Sequence, residues 1–549
     1  MNRQTESQNQ PGKEKHGGSS APEPFYAPVL RRKRGRVSPP SGGSGVHTPR
    51  AEKPSAPGFL SAVEGRRLTA GIPSCAGDPV FPALSPEAQK MTEELGGILS
   101  AVFPLDKKKR KAMLHDIRNL SRMLTDSRGE RPLGYMNRPA NLSAYAHYFL
   151  WWNIVRLARL FAGLQPGSSL PDHFAAVDLG SGPLTAVCAL WIACPALREK
   201  AVTWYCLDIS REALSAGEEI FRRLSASSGA AVRWRIVRIR GEIGVGLKEK
   251  AALVISANVF NELPDPARAA ERTCGFRVQA DFDDGNGSKA SRVSSAAAGA
   301  FSLVSSYAAA NCEILLVEPG NPDGGALVSG FRKQALTAGF VPVSPCPHTG
   351  KCPFPGSRRK KWCHFAFPSA SAPAELLSLS KQAGLPKERA ALSFLYAVRN
   401  GAKRPQKMPD IKKREETRGG HRAAPDAGVF PVRILSEKIR LPGGATGRYG
   451  CSPAGMVLLA AERGFSDGSP AQFLDGLPFG ALVPLVFPAA ELPVPDEAAR
   501  DPVSGAAVIG LVSSRKDFRR RPADRRGDRS RTISRTAGGR RGGRGDKAR

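Results

Sequence analysis

The chain has 549 residues and a formal net charge of +32 at neutral pH. So large an excess of lysine and arginine predicts a polyanionic partner, nucleic acid rather than a membrane surface, although a generally basic composition without such a partner is the alternative. The longest apolar stretch, 149–164, is interrupted by Asn153, Arg156 and Arg159, which excludes a transmembrane helix there, and ten cysteines in so long a chain do not resemble a small disulfide scaffold.

Both ends of the chain have compositions typical of disorder. Residues 1–85 are rich in Pro, Gly, Ser and charge and contain the basic run Arg31–Arg36. Residues 466–549 are rich in Pro, Ala and Gly and end in an arginine-rich tail. Such segments cannot bury enough apolar surface to offset the entropy of ordering. We therefore expect a disordered N-terminal arm and a disordered basic tail.

Helical periodicity dominates residues 86–165. Apolar residues recur at helical spacing in 91–103, 113–124 and 142–164. The basic run Lys107–Lys111 falls between the first two stretches, so we expect it to connect two helices and to be free to meet phosphate.

Strands alternate with helices from residue 166 to residue 343. The predicted strands are 174–177, 203–207, 232–239, 251–257 and 313–317, and the predicted helices are 185–193, 211–224 and 325–338. Residues 283–299, rich in Gly, Ser and Ala, are interpreted as a loop insertion. The alternation predicts an α/β fold with a Rossmann-like, doubly wound parallel sheet and helices on both faces.

A glycine-rich turn follows the first of these strands. Val177–Thr185 reads Val-Asp-Leu-Gly-Ser-Gly-Pro-Leu-Thr, in which two glycines let the backbone approach a ligand at a helix N-terminus. Asp208 ends the next strand, where an acid can accept hydrogen bonds from ribose hydroxyls. Neither a full G-x-G-x-x-G nor G-x-x-x-x-G-K-[ST] is present, which argues against dinucleotides and nucleoside triphosphates.

These features favour S-adenosylmethionine as the ligand, although an ordinary strand-to-helix turn is the alternative. The exit of the fourth strand, 258–263, falls beside the position of the reacting methyl group. No motif there identifies a base, so the catalytic residues stay unnamed. The predicted cofactor-binding residues are Asp178, Gly180, Ser181, Gly182, Asp208 and Asn258.

Residues 344–465 combine a cysteine-rich loop with a small β region, for which 390–398, 429–439 and 455–461 are the predicted strands. Cys346, Cys352 and Cys363 fall within nineteen residues. Three thiols so close together can converge on one metal if a fourth ligand arrives, and Cys451 is the best fourth ligand. Nearby cations favour the thiolate that a metal requires. The alternative is a set of buried free thiols.

The sequence resembles the methyltransferase-like proteins of the small ribosomal subunit, whose mitochondrial members act in assembly of the mitochondrial small subunit and whose bacterial members are named after them. The resemblance covers roughly residues 90–465. It is carried by Tyr135–Tyr148, Val177–Thr185, Asn258–Leu263, Val317–Gly320 and Ser344–Phe365, the last of which contains the Cys-Pro-His and Trp-Cys-His-Phe motifs.

The resemblance implies an S-adenosylmethionine methyltransferase fold that works on small-subunit ribosomal RNA and its precursor particle. It also implies a [4Fe–4S] cluster on Cys346, Cys352, Cys363 and Cys451, and zinc, with His348 and His364 as further ligands, is the alternative. Where the family usually has a third glycine this chain has Leu184, which we expect to narrow the cofactor pocket and weaken binding.

Two functions of different classes follow. The chain is either a methyltransferase acting on ribosomal RNA or a ribosomal protein, or a catalytically inactive assembly factor that binds ribosomal RNA; a zinc-stabilised RNA-binding protein is a third possibility. We expect a monomer that does not bind membranes. The N-terminus lacks an apolar signal core. We therefore expect a cytoplasmic protein, with the mitochondrial matrix as the alternative.

Overall fold

The computed structural model describes residues 59–73, 79–125, 134–263, 265–275, 289–354, 361–399, 427–464, 468–488 and 497–513. The predictions for Arg31–Arg36 and for the arginine-rich tail lie outside the described residues. Residues 403–422, a basic and polar stretch between two predicted strands, also lie outside the described residues.

The described residues form two sheets. In chain order, their strands are β1 (Leu68–Gly71), β2 (His173–Leu179), β3 (Ala201–Asp208), β4 (Trp234–Arg240), β5 (Ala251–Ala257), β6 (Ala308–Pro319), β7 (Phe340–Ser344), β8 (Phe365–Pro368), β9 (Arg389–Arg399), β10 (Ala427–Ile434), β11 (Ile439–Arg440), β12 (Thr446–Ser452), β13 (Gly455–Ala461), β14 (Leu482–Pro488) and β15 (Ala507–Val512).

Most of the helices cover the two faces of the first sheet, and the first and last pack against the second sheet. In chain order, they are α1 (Phe59–Ala62), α2 (Pro86–Val102), α3 (Lys107–Thr125), α4 (Pro139–Ala144), α5 (Trp151–Leu164), α6 (Thr185–Ala193), α7 (Pro195–Arg198), α8 (Arg211–Ser227), α9 (Pro266–Cys274), α10 (Lys289–Tyr307), α11 (Pro322–Thr337), α12 (Ala374–Gln382) and α13 (Pro470–Gly476). A π-helical segment, Tyr145–Leu150, joins α4 to α5, and 3-10 turns occupy Tyr135–Asn137, Ser369–Ser371 and Pro442–Gly444.

The first sheet has the strand order β4-β3-β2-β5-β6-β9-β7, and β8 pairs with β9. The five strands from β4 to β6 are parallel to their neighbours, whereas β9 runs antiparallel between β6 and β7. One core packs the sheet against α2, α5, α6 and α8, and a second core packs its other face against α9, α10 and α11. The predicted α/β class with a doubly wound sheet is therefore confirmed.

Helix α6 holds the glycine turn in place because it is apolar on every side. All nine of its residues are buried, as is typical of a helix that lies within a core rather than on a surface. The turn that precedes α6 is thus attached to β2 on one side and to a fully packed helix on the other. This leaves it little freedom to move.

The second sheet has the order β10-β14-β1-β15-β13-β12-β11 and its own apolar core. It shows that the disorder expected for residues 1–85 and 466–549 is wrong for part of each segment. Strand β1 pairs in parallel with β15, so apolar residues from both ends of the chain are buried together. The Pro- and Ala-rich composition concealed two short apolar strands, β14 and β15.

Three further expectations need correction. The predicted loop at 283–299 is wrong from residue 289 onward, because α10 begins there and buries alanines against the first sheet. The run Lys107–Lys111 does not connect helices but forms the first turns of α3. The predicted strand 390–398 belongs to the first sheet as β9, not to the C-terminal β region, because it pairs with β6 and β7.

No helix in the described parts of the chain is both long and apolar enough to cross a membrane.

Candidate cofactor cleft and cysteine site

The glycine turn after β2 has the backbone geometry that the sequence predicts. Gly180 and Gly182 have φ values of 65° and 52°, in the left-handed region that glycine adopts without steric cost. A Cβ at Gly180 would lie 2.4 Å from Cγ2 of Val259, so no other residue fits there without displacing the chain that leaves β5. The turn and the β5 exit therefore meet at the carboxyl edge of the sheet.

Asp208, at the end of β3, is tied to this turn. Its Oδ2 accepts a hydrogen bond from the Gly182 N–H at 2.9 Å, and its Oδ1 accepts one from the Ser210 N–H at 2.8 Å. Burial raises the pKa of the carboxyl group, although these hydrogen bonds oppose the rise. Each carboxylate oxygen keeps a lone pair, so the group can still accept hydrogen bonds from a ligand's hydroxyls.

Asp178 lies deeper than Asp208. It is 2% exposed, and its Oδ2 accepts a hydrogen bond from Ser181 Oγ at 2.7 Å. Burial, with a smaller contribution from the negative charge of Asp208, raises the pKa of Asp178 to about 7. Asp178 thus supports the turn from below and does not face solvent.

The raised pKa predicts a pH-dependent effect of Asp178→Asn. The folded state binds the Asp178 proton more tightly than the unfolded chain does, so the parent loses stability as pH rises from about 4 to about 7. The Asn variant escapes this loss and its oxygen still accepts the Ser181 hydrogen bond. We expect it to match the parent near pH 4 and to exceed it by about 2–4 kcal/mol at pH 8, measured by urea unfolding. Asp172→Asn, at an exposed carboxylate, is the control, and a variant less stable than the parent at pH 8 would contradict the argument.

Leu184 does not narrow the cleft as expected from the sequence. It has a left-handed backbone (φ 56°), and its side chain is fully buried in the core that contains α5, α6 and α8. A Cβ added to Gly217 of α8 would lie 2.7 Å from Leu184 Cδ1, so Gly217 provides the space that Leu184 fills. The expectation of a blocked pocket is therefore wrong, because the side chain points into the core.

Leu184→Ala is accordingly a stability mutation rather than a binding mutation. We expect it to lower the free energy of unfolding by about 3 kcal/mol through lost contacts and a cavity beside Gly217. Ligand affinity at the cleft should stay within about twofold at a temperature where the variant is folded. Urea unfolding and equilibrium binding measure the two quantities. Unchanged stability with tighter binding would show instead that the side chain obstructs the ligand.

The exit of β5 is held by a buried carboxylate that the sequence analysis did not single out as a site residue. Glu318, next to the end of β6, is fully buried and accepts hydrogen bonds from the N–H groups of Phe260 (3.0 Å) and Asn261 (3.3 Å). Asn258 begins this turn with a left-handed φ of 61°. Glu318 therefore fixes the segment in which the predicted site residue Asn258 lies.

The helical N-terminal region also contributes to the cleft, which sequence reasoning missed. Tyr145, in the π-helical segment, is half-buried, and burial followed by the charges of Glu262 and Asp208 raises the pKa of its phenol. Cε of Met136 lies 3.8 Å from the position of a Cβ on Gly182. We call the space bounded by Gly180–Gly182, Asp208, Asn258, Glu262 and Tyr145 the cofactor cleft. Tyr145 and Met136 belong to the stretch Tyr135–Tyr148 that carries the family resemblance, which was the available signal.

The four predicted metal-ligating cysteines come from both sheets. Cys346 and Cys352 follow β7, and Cys363 precedes β8, whereas Cys451 lies on β12 of the second sheet. Burial first, and then the proximity of Cys346, Cys352 and Cys451, raises the pKa of the Cys363 thiol. The other three cysteines thus lie near enough to Cys363 to raise the pKa of its thiol. Within the described residues, however, no three His, Cys, Asp or Glu side chains are arranged to hold a single metal ion.

Two buried arginines flank this cysteine group. Arg332, on α11, donates to the carbonyls of His348 and Gly350, both at 2.8 Å. Arg433, on β10, is the cross-strand neighbour of Cys451 and donates to the carbonyls of Pro345 (2.9 Å) and Gly480 (2.8 Å). The side chains are 4% and 6% exposed, and neither pairs with a carboxylate of the described residues.

The two histidines near the cysteines differ in their surroundings. His348 Nε2 lies 3.3 Å from Sγ of Cys451, and burial, assisted by the charge of Arg332, lowers the pKa of His348 to about 4. His364 stacks on Trp362 with 5.1 Å between ring centroids, and its Nδ1 lies 3.3 Å from the Trp362 carbonyl oxygen. His348 is therefore neutral at physiological pH and directed at the cysteine group.

Part of the chain that contributes to the cleft and to the cysteine group matches a known protein family. Residues 301–423 match the family described as mitochondrial small ribosomal subunit Rsm22. The family resemblance inferred from the sequence is confirmed. The stretch that matches Rsm22 contains Glu318, Cys346, Cys352 and Cys363, whereas the glycine turn, Asp208 and Cys451 lie outside it. Among curated proteins, none matches this chain.

Solved structures of methyltransferases are similar to part of the chain. A methyltransferase of Geobacter sulfurreducens in complex with S-adenosyl-L-homocysteine is 13% identical, with 45% of this chain and 89% of that chain covered and a TM-score of 0.23. A structure from Listeria monocytogenes, described as a class I S-adenosylmethionine-dependent methyltransferase, is 10% identical over 58% of this chain and 90% of that chain, with a TM-score of 0.26. A ribosomal protein L11 methylase of Lactobacillus delbrueckii is 11% identical over 36% and 74%, with a TM-score of 0.21.

Proposed function

We propose that the chain is an S-adenosylmethionine-binding, methyltransferase-like protein that works with the small ribosomal subunit. The observation that carries the proposal is the hydrogen bond between Asp208 and the N–H of Gly182, because it joins a ribose-type acceptor to a glycine turn at the carboxyl edge of a parallel sheet. The match to Rsm22 supports the ribosomal part of the proposal.

The cleft residues fit the parts of S-adenosylmethionine. Gly180–Gly182 would allow close backbone approach by the aminoacyl end, and Asp208 would accept hydrogen bonds from the ribose hydroxyls. Asn258 and Glu262, on the segment held by Glu318, would lie beside the sulfonium and its methyl group, which is the group that the cofactor supplies for transfer. Tyr145 would cover the cleft from the N-terminal helices.

Methyl transfer and binding without turnover are both compatible with this cleft. Transfer to a good nucleophile requires mainly positioning, so the absence of an identified base among the described cleft residues does not exclude an enzyme. The alternative is that the same cleft stabilises a catalytically inactive factor that binds ribosomal RNA during assembly.

We further propose that Cys346, Cys352, Cys363 and Cys451 hold a [4Fe–4S] cluster. A buried guanidinium needs a compensating negative charge, and four thiolates around an iron–sulfur core would provide it for Arg332 and Arg433. Four thiolates around one zinc ion must lie about 3.8 Å apart, whereas in a cluster each thiolate binds a different iron and the sulfurs lie farther apart. Zinc is the alternative centre, and the metal content of the purified chain separates the two.

In this proposal the chain acts as a monomer, and its partner is the small-subunit ribosomal RNA, including that of the precursor particle. The net charge of +32 is the supporting feature, because phosphate contacts dominate affinity for RNA. The name of the matching family fits the mitochondrial matrix better than the cytoplasm. Sedimentation of the tagged chain with small-subunit precursors tests the partner, and imaging of the cell compartment tests the location.

Equilibrium binding of S-adenosylmethionine tests the cofactor. We expect measurable binding by the parent and at least a tenfold loss in Asp208→Ala, because the variant removes the ribose acceptor and frees the Gly182 N–H. Asp172→Ala, at the opposite end of β2, is the matched control and should bind like the parent. The absence of binding by the folded parent would remove both the cofactor and the enzyme.

Methyl transfer separates the enzyme from the binding factor. Purified small subunits are incubated with the chain and radiolabelled S-adenosylmethionine, and label in RNA and in protein is counted separately. Label that depends on Asp208 identifies an enzyme. Binding of the cofactor and of the subunit without label identifies the assembly factor.

A further inference from the structure

Helix α3 presents one apolar and one basic face. Met113, Ile117 and Leu120 are buried at helical spacing against the rest of the N-terminal region. Seven cations of α3 are exposed, Lys107, Lys108, Lys109, Arg110, Lys111, Arg118 and Arg122. Five of them, Lys107, Lys108, Lys111, Arg118 and Arg122, lie on the face opposite the apolar one, whereas Lys109 and Arg110 lie in the first turn on the same side as Met113. Lys109 lies 3.9 Å from Asp106, and none of the other six pairs with an acid of the described residues. Like charges along one helix face repel one another, so this face favours a polyanion.

A groove runs along the last turns of this basic face. It lies between α3 and the end of α12, and has a volume of about 470 Å³. Arg118, Arg122 and Lys381 line it together with Ser121, Gln382 and the loop 383–385. No carboxylate lies among the described residues of the lining, and their hydroxyl, amide and guanidinium groups are hydrogen-bond donors suited to phosphate oxygens.

The lining also indicates how a nucleic acid would be held. The described residues that line the groove include no aromatic side chain, so they offer bases no surface on which to stack. The 19 residues of α3 span about 28 Å, which is long enough to follow several consecutive phosphates. A helix of this length with a groove at its end matches a duplex backbone better than a single strand with splayed bases.

We propose that the basic face of α3 and the groove with α12 form a binding surface for the sugar–phosphate backbone of double-stranded RNA. This rests on the proposed function, in that ribosomal RNA is the partner, and it adds the surface and the mode of recognition. The surface lies in the helical region and uses none of the cleft or cysteine residues.

The test compares two triple variants of the full chain by fluorescence anisotropy with an RNA duplex of about 20 base pairs. The first is Arg118→Gln, Arg122→Gln and Lys381→Gln. The control is Arg235→Gln, Arg240→Gln and Lys248→Gln, which removes the same charge from exposed positions on and after β4. We expect at least a tenfold loss of affinity in the first variant only. Its salt slope, d log K/d log [salt], should become shallower by about 2–3, because three phosphate contacts are lost.

Several results would overturn this proposal. Equal losses in both triple variants would show that only net charge matters, and unchanged affinity in the first would show that the RNA binds elsewhere. If the first triple variant loses more affinity for single-stranded RNA than for duplex RNA, the result contradicts recognition of a duplex backbone. Loss of binding to vesicles of mixed phosphatidylcholine and phosphatidylserine, with RNA binding intact, would assign the surface to a membrane. Circular dichroism checks the fold. If the groove variant contradicts the RNA-surface proposal and still sediments with small subunits and binds S-adenosylmethionine, only the surface proposal fails, and the proposed function stands.

Discussion

Cys363→Ser is expected to abolish iron binding and to lower the thermal stability of the chain by more than any other single substitution considered. Cys363 is electrostatically coupled to the other three thiols. Because Cys451 belongs to the second sheet, a centre bound by the four sulfurs would cross-link the two sheets. The binding energy of such a centre is folding energy. We therefore expect a loss of several kcal/mol, confined to the iron-loaded protein.

The measurement is iron and sulfide analysis after anaerobic purification, followed by thermal unfolding of the same samples. Cys274→Ser, at an exposed thiol on α9, is the matched control and should keep both iron content and unfolding temperature. A colourless parent that contains zinc and no iron would replace the cluster with zinc. Unchanged metal content and stability in Cys363→Ser would leave four free thiols, the alternative that spacing alone leaves open.

If the four cysteines hold the proposed cluster, Arg433→Met is expected to have a small effect on the iron-free protein and a large one on the iron-loaded protein. Burial lowers the pKa of Arg433 to about 10, although the nearby Cys346, Cys451 and Cys363 oppose the shift. A buried charge of this kind is costly without a compensating anion. Removing that charge from the iron-free protein should therefore change stability by no more than about 1–2 kcal/mol, since the gain offsets the two lost hydrogen bonds. In the loaded protein the same substitution removes a counter-ion from an anionic centre. We expect faster iron loss to a chelator, by about tenfold or more.

Arg433→Lys provides the matched comparison. It keeps the charge but cannot bridge the Pro345 and Gly480 carbonyls as the planar guanidinium does. If Arg433→Lys retains iron better than Arg433→Met but less well than the parent, the charge and the two carbonyl hydrogen bonds each contribute to iron retention. If Arg433→Met destabilises the iron-free protein by 3–5 kcal/mol, the arginine has a structural role that does not depend on the centre.

The first sheet could be predicted largely from sequence because its strands are short apolar runs between helices. The strand 251–257 matches β5, and the strand that ends at Asp208 matches β3. Parallel strands align their carboxyl ends, so the turn after β2, Asp208 and the β5 exit had to share one edge of the sheet. Local pattern and topology together fixed the cleft.

The second sheet could not be predicted because its strands break the usual composition rules. Pro431 of β10 and Pro484 of β14 are cross-strand partners, although proline is typical of turns and edges. Neither can donate a hydrogen bond, so the pair occupies a position of the ladder where no donor is needed. Strand β1 has only four residues and is defined by a partner far along the chain, which no local window contains.

Side-chain direction limited the prediction of the site itself. Whether Leu184 points into the cleft or into the core depends on its left-handed backbone and on the space left by Gly217. Tyr145 reaches the cleft from a π-helical segment, and the spacing of apolar residues does not reveal an extra residue in a helical turn. The sequence predicts only that Glu318 follows a strand. Its role is evident from the backbone N–H group of Phe260, which donates a hydrogen bond to it.

The parallel pairing of β1 with β15 has a consequence for synthesis. The nascent chain can complete the first sheet once β9 has emerged from the ribosome, whereas β1 must wait for its two neighbours, β14 and β15, the second of which ends at residue 512. Cys451 emerges between these two events. A centre that needs all four sulfurs could therefore be completed only after the first sheet has all its strands and Cys451 has emerged.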